Sequence, residues 1–349
     1  MSVTRINLAL QGGGAHGAFT WGVLDRLLED ESLEIEGITA TSAGAMNAAA
    51  LKAGWLRGGH AGARAQLAAF WEEISAHTAL PDPMLQSWLA ALAPDPVLIS
   101  GMIEASPAWF ALDTASRLFS PYQTNPLGIH PLRPVVEKML DFDMVCAADG
   151  PKLFVAATNV RSGKVRIFSG AEISPDALLA SACLPTLYQA VEIDDPATGR
   201  REAYWDGGYM GNPALFPLFY ETRSEDILIV HINPIHRETL PRTATEIQNR
   251  INEISFNSSL LRGLRAIAFA HRLLAEGHIA PGSMKDVRIH QVMDDALMTK
   301  LGVATKLTPN RALLLRLRDA GRARMDAFLA HHRDDLGRHG TVDLRELYD

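Results

Sequence analysis

The sequence predicts an α/β protein built on a central, mainly parallel sheet, with a helical C-terminal extension. Two observations carry that prediction. The unit strand, glycine turn, helix occurs twice in succession at the start of the chain, the pattern of parallel α/β architecture. Beyond about residue 238 the strand signals cease and amphipathic helical periodicity takes over.

The elements follow in order. Residues 5–11 form a short apolar run that stops at "GGGAHG", a buried-strand signal. In "AFTWGVLDRLLED", Phe19, Val23, Leu24, Leu27 and Leu28 fall at helical spacing. In "EGITATSAGAMNAAALKAG", Ile38 to Thr41 read as a second strand, and Ser42 opens a small-residue helix expected to stop near Gly54. Later strands are expected in "KLFVAATNV", "KVRIFSG" and "DILIVHINP", with a hairpin turn at Arg161–Gly163 and a helix in "PDALLASACLP". Residues 79–126 break the rhythm with seven prolines, Trp88, Trp109, Met84 and Met102, the composition of an inserted helical cap. At the C-terminal end, residues 245–275 and 309–332 read as amphipathic helices.

The composition is that of a globular enzyme, 349 residues with 47% hydrophobic and 21% charged side chains. Length alone is a soft prior for about two domains. A formal charge of −7 offers no basic footprint for nucleic acid. Cys146 and Cys183 are the two cysteines, so neither a disulfide framework nor a C-x-x-C metal pattern is available, and a reducing cytosol is the expected compartment. The five-residue apolar stretch before the glycines is too short for a signal-peptide core, and no window reaches the roughly 20 apolar residues that span a bilayer.

Gly12, Gly14 and Gly17 spell G-x-G-x-x-G, which poses the question of which anion the loop holds. A dinucleotide fold places an acidic residue at the end of its second strand to hold the ribose. Glu34 and Glu36 have roughly that offset but precede the apolar run 38–41, at the wrong end of the strand. No G-K-[ST] follows the glycines, which excludes a Walker-type phosphate loop. The productive end of the second strand carries "ATSAGA" instead. Ser42, between strand and helix and flanked by Ala40 and Gly44, has the setting of a nucleophile elbow, where bulky neighbours would clash. A plain helix N-cap is the other reading of the same serine.

A serine needs a base to attack at neutral pH. The candidate is Asp206 in "EAYWDGGYMGNPA", where Gly207 and Gly208 allow a close backbone approach. With an ordinary pKa of about 3.9 it is a poor base, so burial must raise it or proton transfer must be concerted with attack.

Together, "GGGAHG", "ATSAGA" and "WDGG", in that order and at these spacings, resemble the patatin-like phospholipases. The resemblance covers about residues 5–235, the expected catalytic domain with 79–126 as its cap or insert, and leaves 236–349 as a mainly helical C-terminal region. It implies a patatin-like three-layer fold and a serine acyl hydrolase acting on lipid esters. Gly12, Gly13 and Gly14 would supply the oxyanion hole, Ser42 the nucleophile and Asp206 the base, with His16, Gly44, Gly207 and Gly208 as auxiliary residues. It implies neither metal nor organic cofactor. Two departures stand out: His16 replaces the usual Arg or Lys, and Ala40 replaces the first glycine of G-x-S-x-G.

Two other readings stay open. His231 in "ILIVHINP" would complete a Ser42–Asp206–His231 triad, although α/β-hydrolases place their elbow after several strands. A non-catalytic lipid-binding protein on the same fold is the second, since function resides in the site. The pairs His231/His236 and His331/His332 lack H-E-x-x-H spacing and read as surface histidines, and Cys183 reads as a packing residue. The expected partner is a lipid ester, in solution or at a membrane surface. Residues 245–275 read as a packed or oligomer-forming helix, because their polar face mixes signs.

Overall fold

A computed structural model describes residues 3–77, 101–102, 104, 106–280 and 282–344. Most of the first half of the expected insert at 79–126 therefore lies outside the described residues. Its second half contains a helix.

Eight strands form one sheet: β1 (Thr4–Leu10), β2 (Leu33–Ala40), β3 (Lys152–Asn159), β4 (Val165–Ser169), β5 (Val191–Asp195), β6 (Arg200–Asp206), β7 (Asp226–Val230) and β8 (Arg288–Val292). Their order is β5-β6-β3-β2-β1-β7-β8, with β4 also paired to β3. The run β3-β2-β1-β7-β8 is parallel, while β4 and β6 pair antiparallel with β3 and β5 pairs antiparallel with β6.

The main helices are α1 (Gly17–Leu27), α2 (Ala43–His77), α3 (Pro107–Leu118), α4 (Arg133–Met139), α5 (Pro175–Ser181), α6 (Ala244–Ala275), α7 (Val303–Leu307) and α8 (Arg311–His332). Period-two alternation in the strands separates the two faces of the sheet. Ile6, Leu8 and Leu10 of β1, with Leu228 and Val230 of β7, join a core filled by Phe19 and Val23 of α1, Ala49 of α2 and Leu313 and Leu317 of α8. Their neighbours Ala9, Ile227 and Ile229 face a second core that Leu260 and Leu264 of α6 close. The result is three layers, helices on both faces of a mostly parallel sheet, which is why β7 reads as an unbroken apolar run.

Two expectations are corrected here. The helix begun after Ser42 does not stop near Gly54. Helical geometry breaks at Gly58 and Gly59 and resumes to His77. Nor do the strands cease near 238, because β8 extends the sheet beside β7 in parallel register from Asp226↔Arg288 to Val230↔Val292. Its sequence, "RIHQV", hides the signal: His290 is fully buried and accepted there because Asp226 pairs with its Nε2 at 3.0 Å. The C-terminal region thus supplies a strand and a cover for each face of the sheet.

Candidate active site

Three chain segments meet at the C-terminal edge of the parallel strands. β2 ends at Ala40 and α2 starts at Ala43, so Ser42 occupies the turn between them. Its φ is 54°, and among the described residues it is the one non-glycine residue in the left-handed region. Such a backbone costs on the order of 1–3 kcal/mol and persists only where neighbours over-determine it. Here the Ser42 N–H donates to Ser181 Oγ at 2.8 Å, and Ser181 in turn donates to the Ala156 carbonyl at 2.7 Å. Thr41 donates through its hydroxyl to the Gly211 carbonyl at 2.5 Å, and the Gly44 N–H, in the first turn of α2, donates to the Thr41 carbonyl at 2.8 Å.

Asp206 ends β6, where Ala157 of β3 is its register partner. Its N–H donates to the Cys183 carbonyl at 2.8 Å, and its carbonyl accepts from Thr158 Oγ1 at 2.8 Å. Gly207 makes the approach to the elbow possible, since a Cβ there would lie 2.2 Å from the Ala156 carbonyl oxygen. The Asp206 carboxyl is buried, accepts from the Gly208 N–H at 2.7 Å and shares its cavity with Ser42. Burial outweighs the lowering influence of the Gly208 amide and of the neighbouring Ser42 and pushes its pKa up to about 7.

The glycine loop runs from the end of β1 into a 3-10 turn at Gly14–His16. Gly14 has φ +58° and packs against the Lys306 carbonyl oxygen of α7, which a Cβ would approach to 2.3 Å. The three glycines do not present equivalent amides. The Gly12 N–H is already taken by Asn212 Oδ1 at 2.7 Å, so it is withdrawn from the expected set of oxyanion donors. Among the described residues, no such bond engages the N–H groups of Gly13 and Gly14. A buried amide network fixes the loop from below: Asn233 Nδ2 donates to the Gly12 carbonyl at 2.8 Å, Gln11 Oε1 accepts from the N–H of Ile232 and of Asn233, and Gln11 Nε2 donates to Asn257 Oδ1 of α6 at 3.0 Å.

His16 is buried and pairs through Nε2 with Thr305 Oγ1 at 2.8 Å. Burial, reinforced by the charge of Lys306, holds its pKa well below the usual histidine value, so it is neutral and does not line the cavity described next. His231 is also buried, which corrects its reading as a surface residue. Among the described residues neither of its ring nitrogens has a hydrogen-bond partner, and burial lowers its pKa to about 4. It is joined to neither Ser42 nor Asp206. The Cys183 thiol is buried and donates to the Gln189 carbonyl at 3.1 Å, with its pKa pushed up to about 12.

Ser42, Asp206 and all three loop glycines open onto one cavity of about 600 Å³. Much of its lining is apolar, including Met46, Phe70, Trp71 and Ile74 of α2 and Trp109 of α3. That size and lining suit a small lipid-like molecule.

The patatin-like phospholipase family profile matches residues 8–219, more than half of the chain. The chain belongs to the patatin-like phospholipase family. Ser42, Asp206 and the glycine loop all fall inside the matched patatin-like segment, whereas Asn233, Asn257 and Lys306, which touch the loop, fall beyond it. VipD from Legionella pneumophila is a similar solved structure, at 14% identity and a TM-score of 0.42 over 94% of this chain and 67% of that one, a likeness too loose to argue from. No curated protein matches the chain.

Sequence reasoning missed the amides that brace this patatin-like site. Gln11 ends an apolar strand, and Asn212 and Asn233 both precede proline at the ends of apolar segments. A polar residue at the close of a buried run, where backbone groups need partners, is the signal that could have drawn attention to them.

Proposed function

We propose that the chain is a serine acyl hydrolase cleaving fatty-acyl esters of lipids through a Ser42–Asp206 dyad. The observation that carries this reading is that the Ser42 elbow and the buried Asp206 carboxyl open onto one cavity beside the amides of the glycine loop. Asp206 accepts the hydroxyl proton as Ser42 Oγ attacks the ester carbonyl carbon. A carboxyl with its pKa near 7 is matched to that task at neutral pH. The tetrahedral oxyanion is held by the N–H groups of Gly13 and Gly14, each such donor being worth about 2.7–4 kcal/mol in serine hydrolases. Collapse expels the alcohol, which takes the proton back from Asp206 and leaves the acyl group on Ser42. Water, deprotonated by the same carboxylate, then releases the fatty acid and restores the hydroxyl.

Support comes from three sides. The family is one of lipid acyl hydrolases, the cavity is largely apolar, and the strained φ of Ser42 lifts a hydroxyl out of a strand-to-helix turn. His231 has no part in the mechanism.

The test is a panel of acyl esters assayed for released fatty acid, with wild type, Ser42→Ala and His231→Gln. Ser42→Ala is expected to lose at least about a thousandfold in turnover, and a serine-reactive phosphonate should label wild type and not this variant. His231→Gln should stay within about tenfold of wild type. Full hydrolysis by Ser42→Ala, or no hydrolysis of any ester by wild type, would overturn the proposal.

A further inference from the structure

The proposed dyad leaves one oxygen of the reaction without a partner. The loop amides answer the carbonyl oxygen and Asp206 carries the proton, but the alcohol oxygen also gathers negative charge as its bond to the acyl carbon breaks. It departs on the side of Asp206, which returns the proton to it, and the water of the second half arrives by the same path. A polar group beside Asp206 that opens onto the cavity is placed to meet both.

Tyr209 is such a group. It closes the 3-10 turn Gly207–Tyr209 that begins directly after Asp206, and it lines the cavity together with Gly208 and Phe256 of α6. Its ring packs edge-on against Phe256, with centroids 5.3 Å apart and planes at 77°. Phe256 in turn lies over Gly208, where a Cβ would meet that ring at 3.1 Å and Asp206 Oδ1 at 2.9 Å. Contacts from Asp206 through Gly208 and Phe256 thus hold the tyrosine ring near the carboxyl. Among the described residues the Tyr209 hydroxyl has no hydrogen-bond partner. Tyr209 is half-buried, and its hydroxyl is not sealed off as the ring nitrogens of His231 and the Nδ2 of Asn212 are. Burial, reinforced by the nearby Asp206 carboxylate, pushes its pKa up to about 12, so it keeps its proton where Asp206 has lost one. A phenol both donates and accepts, which suits an oxygen that enters as an ester, leaves as an alcohol and is replaced by water.

We propose that Tyr209 is a further catalytic residue, whose hydroxyl donates a hydrogen bond to the alcohol oxygen as the ester breaks and then holds the water that attacks the acyl-enzyme. In the first half the bond from Ser42 Oγ to the acyl carbon forms and the bond from that carbon to the alcohol oxygen breaks. The Ser42 proton passes through Asp206 to the departing oxygen, and Tyr209 keeps its own proton throughout. The inference rests on the acyl-hydrolase reading and deepens it, and its test separates the two.

The test compares wild type with Tyr209→Phe, which removes the hydroxyl and keeps the ring against Phe256. Labelling of Ser42 by a p-nitrophenyl phosphonate should stay within about threefold of wild type, because that leaving group needs no donor. Single-turnover release of p-nitrophenol from p-nitrophenyl decanoate should likewise stay within about threefold. Monodecanoylglycerol has a poor leaving group, and its kcat/KM should fall about tenfold or more. Loss of the decanoyl group from preformed acyl-enzyme, followed by intact mass, should slow about tenfold or more, because water has lost its holder.

Equal slowing of the phosphonate, the activated ester and the glyceride overturns the proposal, because it makes Tyr209 a prop for Asp206. Unchanged glyceride turnover and unchanged loss of the acyl group overturn it as well, with the hydrolase reading left standing. A wild-type chain that takes up no phosphonate and cleaves neither ester sinks the hydrolase reading, and the role of Tyr209 with it.

Discussion

The glycine loop is shared between two regions that hold it in different ways. From residues 8–219 come Ser42 and Asp206, the proposed reacting pair, each placed by a short, local device: a strand-to-helix turn at Ser42 and a strand end followed by two glycines at Asp206. From the region beyond residue 236 come Asn257, Thr305 and Lys306, which reach the loop or its neighbours through buried polar contacts. On the proposed reading, the first region does its chemistry while the second holds the loop in place. The comparison teaches that the part carrying the motif and the part that braces it need not coincide.

The bluntest way to break this comparison is to end the chain after residue 236. That removes β8, α6 and α8, exposing Ile227 and Ile229 on one face and uncovering α1 on the other. We expect the shortened chain to show no cooperative thermal unfolding. A sharp transition would mean that the first region stands alone.

Next in size is the pH response of Asp206. The native carboxyl has a pKa of about 7, while that of an unfolded chain is near 3.9. Between those values the native state holds a proton the unfolded state has released, so wild-type stability falls as pH rises from about 4 to about 7. Asp206→Asn lacks that slope and should melt higher than wild type at pH 8, by a margin larger than at pH 5. Wild-type hydrolysis should rise with pH and level off above about 7, because the base must be deprotonated. A rate flat from pH 5 to 8 would remove Asp206 from that role.

A smaller effect separates buried from exposed links between the regions. Asn257→Ala strips Gln11 of a buried partner and should cost about 1–3 kcal/mol, read as a Tm lower by several degrees. Turnover should fall with it as the loop loosens. Arg311→Ala breaks an exposed pair with Glu72 of α2 at 3.3 Å and should change stability by about 1 kcal/mol or less. Equal effects from the two variants would show that burial is not what joins the regions.

Much of the site was legible in the chain because its signals are local. The apolar run of β1, the small residues around Ser42 and the turn glycines after Asp206 each express a constraint met within a few residues. What stayed hidden depends on partners far along the chain. The Gly12 amide looks free until Asn212 is brought against it, and His231 looks like a surface residue until β8 covers its strand. β8 itself was missed because Arg288 and His290 interrupt its apolar pattern, and only pairing with Asp226 explains why they are tolerated. The long helices α6 and α8 were readable from periodicity, but not which faces of the sheet they cover.

Ser42 sits at a backbone angle that glycine reaches freely and serine does not. The architecture would be more at ease without the Ser42 side chain: on the proposed reading, relaxation and competence pull in opposite directions at a single position. If Ser42 is the nucleophile proposed above, a glycine there would relax the backbone and silence the molecule, so folding alone gives no reason for a serine at 42.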